Sequence, residues 1–194
     1  MSNTGYGLIF SRTLHGGQPL SKRFYIPSTN ATALFKGDAV MLTTSAGTMD
    51  PLGEVPTITQ FVSGDVLLGV VDGFEVDSSQ ILTGNYRPAS TNRYVNVIVD
   101  PDACYYALED AVGGAATQAQ IGAMNNFNLN IAAGSTYTGY SGHMIQSSSA
   151  TTSAADVKVI GIRADGVETG AQTNGCDLEV MILSPAMKAT ASHS

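Results

Sequence analysis

The sequence has no tryptophan, only three histidines and two cysteines, and charged side chains at just 13% of its 194 positions. Each shortage excludes something. Two cysteines, Cys104 and Cys176, are too few for a disulfide framework, and a chain this long buries roughly 70% of its unfolded surface without one. Two free, mostly buried thiols are the expected state. His15, His143 and His193 lie far apart and no cysteine pair has ligand spacing, so the pattern of a zinc site is missing and no metal or cofactor is expected. Nine basic residues are scattered against sixteen acidic ones, for a net charge of −7. Nucleic-acid binding needs clustered lysine and arginine, so no nucleic-acid partner is expected. There is no basic-then-apolar leader and no run of about 18 apolar residues. The expectation is synthesis in a cytosol without membrane insertion.

What is present is an all-β pattern. Short apolar segments of period two, or apolar throughout, are separated by glycine, proline, serine, threonine and asparagine. Strands are expected in "DAVMLTT" (38–44), "DVLLGVVDGFEV" (65–76), "YVNVIV" (94–99), "CYYAL" (104–108), "VKVIGI" (157–162) and "DLEVMIL" (177–183). The second is apolar on both faces, which suggests a central strand, with Gly69 and Gly73 permitting a bend or bulge. Val95, Val97 and Val99 share one face. Asp100-Pro101-Asp102-Ala103 then supplies turn chemistry, and Cys104 opens the next strand, which reads as a β-hairpin. One short helix is expected after Thr117, with Gln120 completing a capping box and Ile121 and Met124 as its apolar edge.

Residues 134–155, rich in serine, threonine and glycine, read as an extended, exposed connection with a brief strand near His143 to Gln146. Irregular strand spacing favours a β-barrel or β-sandwich core with long loops and extended terminal arms. The layout is an N-terminal arm over 1–23, a core over 24–185 and a tail over 186–194.

No catalytic pattern survives inspection. Gly139-Tyr140-Ser141-Gly142-His143 lacks nucleophile-elbow spacing, and Ser141 with His143 reads as two exposed polar residues. Gly113 and Gly114 precede no lysine and read as a turn rather than a phosphate loop. The acids Asp72, Glu75, Asp77, Asp100 and Asp102 do not follow the spacing of a calcium loop. Glu75, Glu109 and Asp110 could in principle supply paired carboxylates for glycosidic chemistry. Tyrosines cluster, as Tyr105-Tyr106 and Tyr137 with Tyr140, which suits interface packing.

The tracts "FYIPSTNATALFKGDAVML", "LLGVVDGFEVDSSQILTGNYRPASTNRYVNVIVDPDACYYALED" and "GSTYTGYSGHMIQSSS" carry a resemblance over about residues 24–183. In wording and order they resemble a family of tailed-bacteriophage virion proteins, the capsid decoration or cement proteins, and the YRPAST tract is the most specific part. Asn85 and Asn92 depart from the family pattern, and the chain past Pro185 has no counterpart in it.

The resemblance implies a non-enzymatic structural virion protein, often a homotrimer, on the outer surface of an icosahedral head, with the major capsid protein as partner. Tyr6, Leu8, Ile9 and Phe10, apolar and near a terminus, are the expected capsid-facing residues, with Arg87 and Arg93 bracketing the YRPAST tract. For both arginines, loop-fixing hydrogen bonds to main-chain carbonyls are favoured slightly over direct capsid ion pairs. A carbohydrate- or receptor-binding module of a phage tail or spike is the alternative.

Overall fold

In a computed structural model, described over residues 5–43, 55–76, 85–163, 176–183 and 186, the regular structure is mostly antiparallel strand, joined by long irregular loops. The strands are β1 (Ile9–Thr13), β2 (Ser21–Ile26), β3 (Leu34–Phe35), β4 (Ala39–Leu42), β5 (Ile58–Gln60), β6 (Gly69–Phe74) and β7 (Tyr86–Arg87). They continue as β8 (Arg93–Ile98), β9 (Ala103–Leu108), β10 (Asn126–Phe127), β11 (Leu129–Asn130), β12 (Met144–Ile145), β13 (Val157–Ile162) and β14 (Asp177–Ile182). One five-stranded sheet has the order β1-β9-β14-β13-β10 and the other β2-β8-β6-β4-β5; β3-β7 and β11-β12 form two-stranded ribbons. Neither large sheet closes on itself, so the architecture is sandwich-like and not a barrel.

Two apolar clusters explain the strand patterns. Tyr105, Ala107, Val157, Val159, Leu178, Val180 and Ile182 of the first sheet pack with Ala39, Val70 and Ile98 of the second. The opposite face of the second sheet contributes Phe24, Ile26, Val40, Val71, Val95 and Val97 to another cluster. Each fully buried valine or leucine contributes about 1.5–3 kcal/mol. The second sheet is thus buried on both faces, which is why β6 reads as continuously apolar. The central position expected for β6 is observed, and its pairing with β8 shifts register between Val71 and Gly73, a bulge at the expected glycine. Gly69 is required by close approach: a Cβ there would lie 2.1 Å from the carbonyl oxygen of Ile98. The strand itself starts at Gly69, and Val66 before it is exposed.

The helix α1 (Gln118–Gly122) has the expected capping box: Thr117 Oγ1 accepts from Gln120 N–H, and the Gln120 side chain accepts from Thr117 N–H. Ile121 packs on the first cluster, while Met124 is exposed. Cys104 and Cys176 are buried and unbridged.

Three expectations are corrected. The segments around Asp100 do not form a hairpin. β8 is flanked by β2 and β6, β9 by β1 and β14, so neither has a free edge for the other, and the turn carries the chain from one sheet to the next. The N-terminal stretch is not a free arm. Leu8 is 2% exposed in the first cluster, β1 pairs with β9 and β2 pairs with β8. Leu8 and Phe10 are too few to build a core, yet they complete one that other strands supply. The 134–155 connection is not an exposed tract either, because Ser141, His143, Ile145 and Ser147 are all buried. The expected tail over 186–194 lies outside the described residues except for Ala186, whose N–H donates to Leu67 O at 2.9 Å.

Candidate functional site

The YRPAST tract is organised by its arginines. Arg87 is fully buried, and its guanidinium donates to the carbonyls of Thr91, Thr32, Pro27 and Asn30 at 2.5–2.9 Å. Burial pushes its pKa down to about 10, so it remains a cation at neutral pH, solvated by carbonyl dipoles. Arg93 is 3% exposed and donates to Glu75 O and Tyr86 O. Both arginines donate to main-chain carbonyls of the surrounding loops, as the loop-fixing expectation has it. They clasp the 27–32 loop and the 86–93 loop to the second sheet.

The other expected contact residues divide. Leu8 is core, and Phe10 is partly covered, with its ring edge-on to Tyr105 at 6.4 Å between centroids. Tyr6 donates its hydroxyl proton to the Asp177 carboxylate, and burial with that neighbouring charge raises its pKa strongly. Only Ile9, 40% exposed, presents a substantial apolar surface.

Sequence reasoning passed over the most exposed aromatic as a contact residue. Tyr137 is 96% exposed at the tip of a loop closed by Ser135 N–H to Tyr140 O (2.9 Å) and Gly139 N–H to Ser135 O (2.8 Å). The loop is tied to the body by Lys36 N–H to Gly139 O and Ser141 N–H to Lys36 O. Gly139 has φ +77, and a Cβ there would meet the Asn85 side chain at 2.4 Å. The neighbouring Gly37 carbonyl accepts from Leu8 N–H, so the Lys36-Gly37 turn joins the tyrosine-tipped loop to the N-terminal segment. A clustering of tyrosines was legible in the sequence, but not which of them pointed outward.

Beneath that turn lies a buried polar centre. Asp38 and His143 are both completely covered. Asp38 Oδ2 accepts from Phe35 N–H at 2.8 Å, while Oδ1 stands 3.4 Å from His143 Nε2 with no hydrogen-bond partner. His143 Nδ1 accepts from Ala39 N–H at 3.1 Å, and its Nε2 lies 3.1 Å from the side-chain amide nitrogen of Gln60. Burial pushes Asp38 up to about 7 against the opposing Phe35 N–H and Ser141 hydroxyl, and pushes His143 down to about 4. Ser141 Oγ accepts from the main-chain N–H of His143, so serine and imidazole form no nucleophilic dyad. Contrary to the sequence expectation these groups are buried, not exposed.

The carboxylates considered for hydrolysis are committed to structure. Glu75 makes a two-pronged pair with Arg23 at 2.7 and 2.9 Å. Glu109 is buried and accepts from Ala116 N–H, Cys176 N–H and the Cys176 thiol. Asp110 accepts from Val112 N–H, from Ser147 N–H and Oγ–H, and from Asn130. Burial alone would raise its pKa, but these donors hold it below the usual range. Tyr25 and Tyr94 are 5.2 Å apart, and the Arg23 guanidinium lies over the Tyr94 ring at 3.7 Å, covering that face of it.

Together these features define an all-β, sandwich-like protein whose buried charges hold loops. Comparison with protein-family models, with curated proteins and with solved structures finds no match to this chain. Among the described residues, no helix is long and apolar enough to cross a membrane.

Proposed function

We propose that this protein is a structural component of a phage virion, which decorates and stabilises the outer surface of an icosahedral head by bridging major capsid protein subunits, and that it acts as a homotrimer. The observation that carries this reading is Tyr137, a large apolar side chain almost wholly in solvent on a loop fixed at several points. A tyrosine held this way loses little conformational freedom on docking, and such residues commonly dominate interface energies. Ile9, which follows the Leu8 whose N–H donates to the Gly37 carbonyl, supplies further exposed apolar surface. The low charge content and the resemblance of the YRPAST region to cement proteins support the same reading. A scaffold clasped by Arg87 and Arg93 is suited to presenting such loops without rearrangement, and contacts repeated across a lattice sum to a large effect even when each is weak.

The test is co-sedimentation of the purified chain with expanded phage heads assembled without it, alongside thermal disruption of those heads. Binding at a fixed ratio to the capsid subunit, with a raised disruption temperature, is expected. If heads are ignored while a glycan array is bound, the protein is a tail- or spike-type carbohydrate module instead.

A further inference from the structure

The two places where the chain passes between the large sheets lie side by side. Residues 14–20 lead from β1 to β2, and residues 99–102 lead from β8 to β9. Leu14 N–H donates to Asp102 O at 3.0 Å and Val99 N–H to Leu20 O at 2.9 Å, which locks the crossings together. His15 from one crossing thereby faces Asp100 and Asp102 from the other. No spacing rule could show this, because 85 residues separate His15 from Asp100.

We propose that His15, Asp100 and Asp102 bind a divalent transition-metal ion of the zinc type. One nitrogen or oxygen from each of the three residues lies within 4.8 Å of the others. His15 Nε2 is 3.9 Å from Asp100 Oδ2, and its Nδ1 is 4.0 Å from Asp102 Oδ2. These gaps are too wide for hydrogen bonds and only somewhat wider than the roughly 3.4 Å that separates neighbouring ligands on a tetrahedral ion with ~2.0–2.2 Å bonds, one ring nitrogen serving as the ligand. A small rotation of the half-exposed imidazole brings three donors onto one ion.

Asp100 is the fixed point. Its side chain is 7% exposed, and its oxygens accept from Leu20 N–H (3.2 Å) and Asp102 N–H (2.9 Å). Each carboxylate oxygen has a second lone pair, so these bonds orient the group and leave it able to ligate. One imidazole with two carboxylates suits zinc, cobalt or nickel better than calcium, which takes six to eight oxygens. Three protein ligands leave one position for water, and the bound ion would staple the two crossings. Metal binding at this corner is independent of what the exposed loops dock on.

The test is titration of zinc chloride into the full, untagged chain, followed by calorimetry and by thermal unfolding. One equivalent should bind with a micromolar dissociation constant and raise the unfolding temperature. His15→Ala and Asp102→Ala, both at exposed side chains, should each weaken binding at least about tenfold, whereas His193→Ala should leave it unchanged. Absence of saturable binding, or wild-type affinity in His15→Ala, overturns the proposal. Cobalt titration adds a second readout, since tetrahedral or five-coordinate absorption should appear in wild type and vanish in His15→Ala.

Discussion

Two of the buried polar centres in this β framework, around Arg87 and around Asp38 and His143, are finished differently. Around Arg87 one cation meets four carbonyls, which engage four of its five N–H donors. Around Asp38 and His143 a carboxylate and an imidazole share too few partners, and Asp38 Oδ1 is left with none. The first arrangement fixes geometry, because removing the guanidinium strands several buried acceptors at once. The second holds two groups whose protonation is shifted in opposite senses by the same cause, burial. A satisfied node is a staple, and a half-satisfied one is a place where pH acts on the fold.

The largest expected effect follows from breaking the staple. Arg87→Ala should cost about 3–5 kcal/mol in denaturant unfolding, the range seen when one partner of a buried charged network is removed. Arg87→Lys should recover only a minor part, since an ammonium cannot reproduce the planar fork. A loss below about 1 kcal/mol for Arg87→Ala would erase the contrast between the two centres.

Next in size is Gly139→Ala, expected to cost about 1–3 kcal/mol because a left-handed backbone and contact with Asn85 both resist a Cβ. Its unfolding midpoint and the proteolytic sensitivity of the 134–140 loop would report this.

The polar pair gives a signed prediction. Asp38 has its pKa raised from 3.8 to about 7, so its contribution is fully present below pH 3.8 and lost as pH rises through 7. His143 has its pKa lowered from 6.5 to about 4, so its contribution is present above pH 6.5 and lost as pH falls through 4. Between pH 4 and 6.5 the two trends oppose each other. Relative to wild type, His143→Gln should therefore lose stability as pH rises across this window. Asp38→Asn should gain stability over the same range, each by on the order of 1 kcal/mol per pH unit. Urea unfolding of the three proteins from pH 4 to 8 measures it, and parallel curves would show that the pair does not titrate as described.

How much of this was legible follows from where polarity and period agree. β8, β13 and β14 were readable because Val95 and Val97, Val157 and Val159, and Leu178, Val180 and Ile182 alternate with less buried neighbours. The helix start was readable because a capping box is a local pattern. The buried segment Ser141, His143, Ile145 and Ser147 also has period two, but three of its four inward residues are polar, so hydropathy hid it. The crossing at Asp100 was misread as a hairpin because both use the same turn residues. What separates them is which strands already occupy the edges of β8 and β9, and that is a property of the whole sheet. Arg87 and Arg93 donate to main-chain carbonyls and Leu8 lies in the core, which its position near a terminus does not reveal, since such an apolar residue looks alike in sequence whether it docks on its own core or on a partner.

Smallest in its effect on folding is Tyr137→Ala, which should change stability by no more than about 0.5 kcal/mol because the ring is in solvent. That makes it the most direct probe of the proposed role. The decisive measurement is occupancy of expanded heads by Tyr137→Ala and wild type, titrated side by side. An unchanged unfolding midpoint with at least about tenfold weaker head binding is expected. Wild-type head binding by the folded variant would contradict the proposed role.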